Sequence, residues 1–251
     1  MKRAIITGAS SGIGLELSRE LVRRGWAVAM LARRTDLIAD AARSLSNSVA
    51  VTCDVTDGDA VVSAVRQSEG ELGGPFDLAV ANAGIGYPTH AAKFDANAAA
   101  EIIRVNVIGM LHLFGAVVPS MIERRSGRFA GVASVAGHRG LPTVSAYSSS
   151  KAAMQTFLEA SRVELAPYGV GVSIVNPGFI VTAMTAKNRF RMPFLMKVEP
   201  AAKRIADGLE RGKRVIEFPL PMSIFTRAMR YVPDAIYDVM MIPAARRQKK
   251  S

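Results

Sequence analysis

Apolar and polar positions follow two alternating patterns along most of this chain. Short runs of β-branched and small apolar residues are each followed by a longer stretch in which apolar residues recur at helical spacing. Such alternation is typical of a parallel sheet with helices on both faces. The predicted strands span residues 4–7, 27–32, 48–53, 77–81, 127–133, 170–175 and 214–218, and the predicted helices span 13–24, 36–46, 57–68, 96–122 and 146–166.

The pattern predicts an α/β fold in which a single doubly wound domain contains a seven-stranded parallel sheet. A chain of 251 residues, of which 49% are hydrophobic, has a normal size for one domain, so we expect residues 1–251 to form one unit. The rhythm breaks after Pro177. Residues 182–200 carry Phe190, Met192, Phe194, Leu195 and Met196 among several cations without a clean period, which favours a mobile lid.

Composition narrows the class of protein. The single cysteine, Cys53, excludes an internal disulfide framework, and we expect a cytoplasmic location. The first apolar run ends at Gly8, too early for the core of a signal peptide. The most apolar stretch, residues 105–118, contains Asn106 and His112 and does not suit a transmembrane helix. No metal site is predicted.

The net charge is unevenly distributed. The chain carries a formal charge of +11; residues 185–251 contain 15 Lys and Arg against 6 Asp and Glu, which leaves +2 for the rest. A nucleic-acid partner is not expected, because the basic region lacks an interleaved aromatic platform. A solvated basic tail and contact with a membrane surface remain as alternatives.

A glycine-rich turn joins the first predicted strand to the first helix. Its spacing is G-x-x-x-G-x-G: Gly8 allows a tight turn, Gly12 lets a phosphate approach the backbone, and Gly14 lets the helix pack close to the sheet. Backbone N–H groups and the helix dipole at this point suit a pyrophosphate, which makes the predicted domain a Rossmann-type domain. The predicted phosphate-binding residues are Gly8, Ser10, Ser11, Gly12, Ile13 and Gly14.

The end of the second strand bears on which dinucleotide binds. A carboxylate there would bond the 2′-hydroxyl of the adenosine ribose, but this chain has Arg33 and Arg34 instead. Two guanidiniums can fork onto a 2′-phosphate, so NADP(H) is the predicted cofactor. The alternative is that these arginines only begin a solvated helix.

Tyr147 and Lys151 stand four residues apart, hence on one helical face. A tyrosine must lose its proton to act as a base near neutral pH, and a nearby ammonium favours the phenolate. Taken alone, this spacing is common on helix surfaces.

With these motifs together, the sequence resembles the short-chain dehydrogenase/reductase family from residue 4 to about residue 182. The glycine turn matches the family's T-G-x-x-x-G-x-G motif, which begins here at Thr7. Asp54 and Val55 match the pair that meets the adenine. Asn82, Ala83 and Gly84 match most of the family's N-N-A-G motif, although Ala81 replaces its first asparagine, which is expected to loosen a local hydrogen bond.

The resemblance also implies a catalytic tetrad. Asn106 matches the asparagine that kinks its helix and holds a water in the proton relay, and Ser134 matches the serine that bonds the substrate oxygen. Tyr147, thirteen residues later, matches the proton donor, and Lys151 matches the lysine that lowers the tyrosine's pKa and bonds the nicotinamide ribose. The segment containing Pro177, Gly178, Ile180 and Thr182 resembles the family's proline-glycine segment, in which the Ile180 backbone would hold the carboxamide and Thr182 would approach the phosphates.

What the resemblance implies is an NADP(H)-dependent oxidoreductase that interconverts a carbonyl and an alcohol. The lid's methionine and aromatic content favours an apolar ketone or aldehyde, although those side chains could equally pack the lid onto the domain. An alcohol dehydrogenase working in the oxidative direction and a non-catalytic NADP(H) sensor are the rival hypotheses. The family also implies a homo-oligomer.

Two regions lie outside the resemblance. His138 and Arg139 are expected to be exposed loop residues at the rim of the site, with contact to a polar substrate group as the alternative. Residues 219–251 form a basic, amphipathic C-terminal extension with an apolar stripe at helical intervals. Such a stripe suits the domain itself, a partner subunit, or an anionic membrane surface as its contact. The stripe consists of Met222, Phe225, Met229 and Val232.

Overall fold

The computed structural model describes residues 1–187 and 192–247 and contains one seven-stranded, all-parallel sheet in the order β3-β2-β1-β4-β5-β6-β7. This confirms the predicted α/β class and all seven predicted strands. The order reverses between β1 and β4, and in doubly wound sheets ligands bind at this position, outside the carboxyl ends of the strands. The strands are β1 (Arg3–Thr7), β2 (Ala27–Ala32), β3 (Ser48–Thr52), β4 (Leu78–Ala81), β5 (Arg128–Val132), β6 (Gly171–Pro177) and β7 (Val215–Phe218).

Helices cover both faces of the sheet. Buried side chains of α3, α5 and α6 form one core layer with the sheet, and those of α1, α2 and α7 form the other. Strand β2 is buried at every position, as expected for a strand covered on both sides. The helices are α1 (Gly12–Arg23), α2 (Thr35–Arg43), α3 (Gly58–Leu72), α4 (Ala96–Ile103), α5 (Gly109–Glu123), α6 (Ser145–Leu165), α7 (Val198–Glu210), α8 (Leu220–Met229) and α9 (Asp234–Arg247).

The single helix predicted for residues 96–122 is divided in the structure. A π-helical turn, Arg104–Ile108, separates α4 from α5. The combined run Ala96–Glu123 is long and apolar enough to cross a membrane, yet 44% of its most apolar window is buried inside the protein. Because α5 packs against α3 and the sheet, core packing accounts for this apolar character.

The region predicted as a lid is partly tethered. Ile180 forms an isolated bridge with Met196, whose N–H donates to the Phe179 carbonyl at 3.0 Å. The region ends in α7, a helix that the strand and helix pattern did not predict. Phe194 and Leu195 are exposed, whereas Met196 is partly buried and packs against the core, so packing onto the domain holds for only part of the region. Phe190, also assigned to the lid, lies outside the described residues.

The expectation for His138 and Arg139 was wrong. The His138 side chain is only 8% exposed and hydrogen-bonds with Thr226 on α8 and Glu217 on β7. Arg139 donates to the backbone carbonyls of Met229 and Val232. Both side chains are therefore largely covered, because the C-terminal extension supplies hydrogen-bond partners for them. The predicted apolar stripe is also divided: Met222 is buried, but Phe225 is exposed.

Candidate active site

The predicted site residues gather at the carboxyl edge of the sheet. The glycine turn follows β1, the two arginines follow β2, Asp54 follows β3, Asn82 follows β4 and Ser134 follows β5. The carboxyl ends of parallel strands lie on one edge, so residues distant in sequence meet there.

The glycine turn has the geometry of a phosphate cradle. Gly8 and Gly12 have φ of +67° and +56°, in the left-handed region that favours glycine. A Cβ built on Gly14 would lie 2.5 Å from both the Gly8 carbonyl oxygen and Asn82 Nδ2, so no side chain fits at this position. Gly12 and Gly14 carry no side chains, so the backbone N–H groups at the start of α1 remain accessible. Such groups at a helix N-terminus suit an anion. Ile13 lies in that turn, beside Gly12.

The loop after β4 is fixed to the glycine turn. The hydroxyl of Thr7 accepts hydrogen bonds from the backbone N–H groups of Asn82 and Ala83, each at 3.1 Å. Asn82 Nδ2 donates to the Thr7 carbonyl at 2.9 Å. These bonds hold the loop in place although Ala81 replaces the asparagine of the family motif.

Arginine side chains border the glycine turn on the side of β2. Arg34 Nη2 donates to the hydroxyls of Ser10 and Ser11, both at 2.8 Å. Arg33 Nη1 lies 3.7 Å from the Asp54 carboxylate. Burial raises the pKa of Asp54, but hydrogen bonds from Thr56 and the charge of Arg33 outweigh it, so the net pKa is lowered and Asp54 stays ionised. Val55 is buried beside it.

Ser134 lies in a buried loop directly after β5. Its Oγ accepts the Ala136 N–H at 3.1 Å and donates to the Pro177 carbonyl at 3.4 Å. These two contacts orient the hydroxyl between the ends of β5 and β6.

Tyr147 lies at the start of α6, and its phenol is next to the Ser134 hydroxyl. Burial raises the pKa of Tyr147, and the nearby Ser134 hydroxyl opposes that rise. The pKa of Tyr147 is therefore raised, whereas Lys151 was expected to lower it. Desolvation disfavours the charged phenolate and is the largest contribution to the shift. In this geometry Tyr147 is a protonated donor at neutral pH.

Lys151 is buried one helical turn further along α6. Its Nζ donates to the Val132 carbonyl at 2.8 Å and lies 5.7 Å from the centre of the Tyr147 ring. Burial lowers the pKa of Lys151 to about 8, so the ammonium is the main form at neutral pH.

Asn106 projects from the π-helical turn and is fully buried. Its Oδ1 accepts the Ile85 N–H at 2.8 Å, and its Nδ2 donates to the Ile85 carbonyl at 3.0 Å and to Ser150 Oγ at 2.9 Å. The amide therefore joins the loop after β4 to α6. Sequence reasoning did not single out Ser150, whose position beside Tyr147 was the available signal.

Gly84 is the position where the polar groups converge. A Cβ built there would lie 3.2 Å from Asn106 Oδ1 and 3.5 Å from Lys151 Nζ, and one built on Gly86 would lie 2.7 Å from Tyr147 Cδ2. The structure thus brings Asn106, Tyr147 and Lys151 to one loop, with Ser134 next to the tyrosine.

The segment after β6 closes the far side of the site. A Cβ built on Gly12 would lie 3.2 Å from Thr182 Cγ2, so Thr182 borders the phosphate cradle. Gly178 N–H donates to the Phe218 carbonyl at 2.8 Å, and Ile180 is buried. Pro177 ends β6 and accepts from Ser134. This arrangement brings the segment to both the glycine turn and the serine.

A buried polar chain lies behind Ser134, and sequence reasoning missed it. Gln155 Nε2 donates to the Ser134 carbonyl at 2.7 Å and to Asn176 Oδ1 at 2.9 Å. Asn176 Nδ2 in turn donates to Glu217 Oε1 at 2.7 Å. The available signal was a carboxylate, Glu217, inside the last apolar strand.

Within residues 1–187 and 192–247, no group of three or more His, Cys, Asp or Glu side chains is placed to hold a metal ion.

The chain was compared with known families and proteins. The family model described as short chain dehydrogenase matches residues 2–192. An uncharacterized oxidoreductase of Myxococcus xanthus is 40% identical over 250 residues, which cover 98% of this chain and 97% of that protein. The protein therefore belongs to the short-chain dehydrogenase/reductase family, whose members are oxidoreductases that bind a nicotinamide cofactor and act on small molecules.

Solved structures resemble the whole fold. An alcohol dehydrogenase from the archaeon Thermococcus sibiricus, complexed with 5-hydroxy-NADP, has a TM-score of 0.78 at 27% identity, covering 87% of this chain and 95% of that chain. A 3-ketoacyl-(acyl-carrier-protein) reductase from Brucella melitensis, complexed with NADH, has a TM-score of 0.80 at 25% identity, covering 86% and 96%. Relatives thus bind either dinucleotide, and the choice in this chain must be argued from its own residues.

Proposed function

We propose that this protein is an NADP(H)-dependent carbonyl reductase in which Tyr147 acts as the general acid. The observation that carries the proposal is that the phenol of Tyr147 lies next to the Ser134 hydroxyl and beside the buried Lys151 ammonium, whose Nζ is 5.7 Å from the centre of the Tyr147 ring. Two hydroxyls of this kind can hold one carbonyl oxygen, and only the phenol need give up its proton.

Burial supports the reductive direction. Because desolvation raises the pKa of Tyr147, the phenol is protonated and ready to donate to a developing alkoxide. The Lys151 ammonium lies near enough to stabilise the phenolate that remains. A bound nicotinamide cofactor supplies the hydride in reduction and accepts it in oxidation.

The preference for NADP(H) rests on the arginine pair. Arg34 lies on the hydroxyls of the glycine turn, and Arg33 lies beside Asp54, the expected adenine contact. Both arginines are exposed, so a 2′-phosphate can reach them without displacing buried groups. The Asp54 carboxylate accepts from Thr56 through one oxygen and faces Arg33 with the other.

The substrate we propose is an apolar ketone or aldehyde. Val181, Met184, Phe194 and Leu195 are exposed on the segment that follows the cofactor-binding residues, where they can cover an apolar molecule. No other function is favoured by the arrangement of side chains, because a cofactor sensor has no use for paired hydroxyls beside a buried lysine.

Tyr147→Phe tests the proposal, with Tyr168→Phe as the control because Tyr168 is exposed and distant from the carboxyl edge. NADPH oxidation is followed by absorbance across a panel of apolar ketones, aldehydes and diketones, and NADPH binding by fluorescence. We expect Tyr147→Phe to lose about 10²–10⁴-fold in kcat while its affinity for NADPH is retained. A Tyr147→Phe enzyme with undiminished kcat, or a wild-type protein that binds NADPH and reduces nothing, contradicts the proposal.

A further inference from the structure

Helix α8 presents an apolar face to solvent. Met222 and Ser223 are buried against the domain, whereas Leu220, Ile224 and Phe225 are exposed, with Ile224 60% accessible. Leu220 and Ile224 are four residues apart and lie one above the other on the helix. Apolar residues thus occupy the solvent side of α8 as well as its buried side.

Helix α9 repeats this arrangement. Ile236, Val239 and Met240 follow the i, i+3, i+4 spacing of a single face and are exposed, with Val239 73% accessible. Successive residues turn by about 100°, which places Asp234 and Asp238 on roughly the opposite side of the helix. The acidic residues therefore do not interrupt the apolar face.

Both helices are attached to the domain by polar side chains. On α8, Arg227 lies 2.9 Å from Glu217, and Thr226 bonds with His138. On α9, Asp234 lies 2.7 Å from Arg139, and Tyr237 donates to the Gly140 carbonyl. The exposed apolar residues are thus held outward by an attached scaffold, and they cannot turn inward without breaking these contacts.

The charge of the C-terminal region indicates whether a second copy of the chain or a lipid membrane covers these apolar faces. Residues 219–251 contain six Lys and Arg against two Asp, and four of these cations are Arg246, Arg247, Lys249 and Lys250. A two-fold contact between copies of the chain would place this cationic region against itself, since isologous interfaces pair identical patches. Anionic lipid headgroups attract such a region by about 1 kcal/mol per cation.

We propose that α8 and α9 dock the protein on an anionic lipid membrane. The lipid-docking surface consists of Leu220, Ile224, Phe225, Ile236, Val239 and Met240. Burial of one such apolar side chain contributes about 1.5–3 kcal/mol, so several together with the cations suffice for reversible attachment. The inference does not depend on the reaction that the enzyme catalyses.

The full-length protein is sedimented with vesicles of equimolar phosphatidylcholine and phosphatidylserine, and with vesicles of phosphatidylcholine alone. We expect wild-type protein to bind the anionic vesicles, to bind the neutral ones weakly, and to be released by high salt. Val239→Glu and Ile224→Glu should each weaken binding about tenfold or more. Val163→Glu is the matched control, because Val163 is 67% exposed on α6 and belongs to neither helix.

Circular dichroism of each variant verifies that the fold is retained, and light scattering gives the oligomeric state. Absence of wild-type binding, equal binding to neutral vesicles, or equal binding by Val239→Glu overturns the proposal. An oligomer that Val239→Glu dissociates, with no vesicle binding, identifies a second copy of the chain as the occupant and also overturns it. NADPH turnover is not used as a readout, so the outcome is separate from that of the proposed reaction.

Discussion

Asn176 Nδ2 donates to Glu217 Oε1 at 2.7 Å, and this bond is the centre of a polar chain that reaches Ser134, the serine of the proposed active site. On one side Gln155 continues the chain to the Ser134 carbonyl; on the other, Arg227 of α8 lies against the second carboxylate oxygen. The loop that holds Ser134 is therefore coupled to the C-terminal extension through a continuous series of polar contacts.

Glu217→Ala should reduce both stability and turnover. The substitution leaves the Asn176 amide and His138 ring without their partner, which costs about 1–3 kcal/mol of unfolding free energy. Because Ser134 loses a support, kcat should fall while the KM for NADPH is unchanged. Urea unfolding and steady-state kinetics measure both effects, Glu217→Gln should restore part of each, and Glu199→Ala is an exposed control.

The stabilisation by Glu217 should depend on pH. Burial raises the pKa of this carboxyl, but hydrogen bonds from His138, Asn176 and Arg227 outweigh it and lower the pKa from 4.5 to about 2. The contribution is thus complete above pH 4.5 and is lost as the pH falls towards 2. The difference in unfolding free energy between wild type and Glu217→Ala should shrink over that range. A constant difference contradicts the assignment of an ionised Glu217.

Arg34→Ala should weaken NADPH much more than NADH. Charge-assisted hydrogen bonds contribute about 1.5–3 kcal/mol, so the KM for NADPH should rise about tenfold or more. The matched control is Arg43→Ala on α2, because Arg43 is exposed and pairs only with Asp40 among the described residues. Equal effects of Arg34→Ala on both dinucleotides would remove the basis for NADP(H) preference.

Gly14→Ala and Gly115→Ala form an informative pair, since both glycines lie in helices. A Cβ at Gly14 would meet the Gly8 carbonyl at 2.5 Å, whereas one at Gly115 meets no atom within 4 Å. We expect Gly14→Ala to lose about 1–3 kcal/mol of stability and its cofactor affinity, and Gly115→Ala to gain about 0.5–1 kcal/mol. Thermal unfolding and NADPH titration measure these changes.

Lys151→Met should alter the alkaline stability profile. Burial lowers the pKa of Lys151 from 10.5 to about 8, so the unfolded chain binds this proton more tightly than the folded one between these values. Relative to Lys151→Met, wild type should gain on the order of 3 kcal/mol of unfolding free energy as the pH rises from 8 to 10.5. Lys93→Met, an exposed control, should show no such trend.

Cys53 should be inert in the native protein. Its side chain is buried, and burial together with the charges of Asp54 and Asp57 raises the thiol pKa from 9.0 to about 11. The reactive thiolate is then about 100-fold scarcer than in the unfolded chain. Alkylation by iodoacetamide at pH 8, followed by mass spectrometry, should be slow until denaturant is added; rapid native labelling would contradict this burial.

The parts of the fold and site that could be predicted from the sequence are those that depend on the spacing of neighbouring residues. Each strand, the glycine turn and the pair Tyr147 and Lys151 are encoded by neighbouring residues, whose spacing is visible in the sequence. His138 and Glu217 are 79 residues apart, and only tertiary packing brings them within 3.2 Å. The same holds for Arg139 and the end of α8. The sign of the Tyr147 pKa shift was also inaccessible, because it depends on burial and not on spacing.

The π-helical turn Arg104–Ile108 adds one residue to a helical turn, and this determines the angular phase between α4 and α5. Removing that residue would rotate one helix against the other by about 100°. Gly109 packs so closely against Val55 that a Cβ built on Gly109 would lie only 2.6 Å from Val55 Cγ2. After such a rotation, this contact and the hydrogen bond between Asn106 and Ile85 could not both be kept. The number of residues from α4 through the π-helical turn to α5 is therefore fixed. Substitutions on the surface of these helices are compatible with the site, whereas the deletion or insertion of a single residue is not.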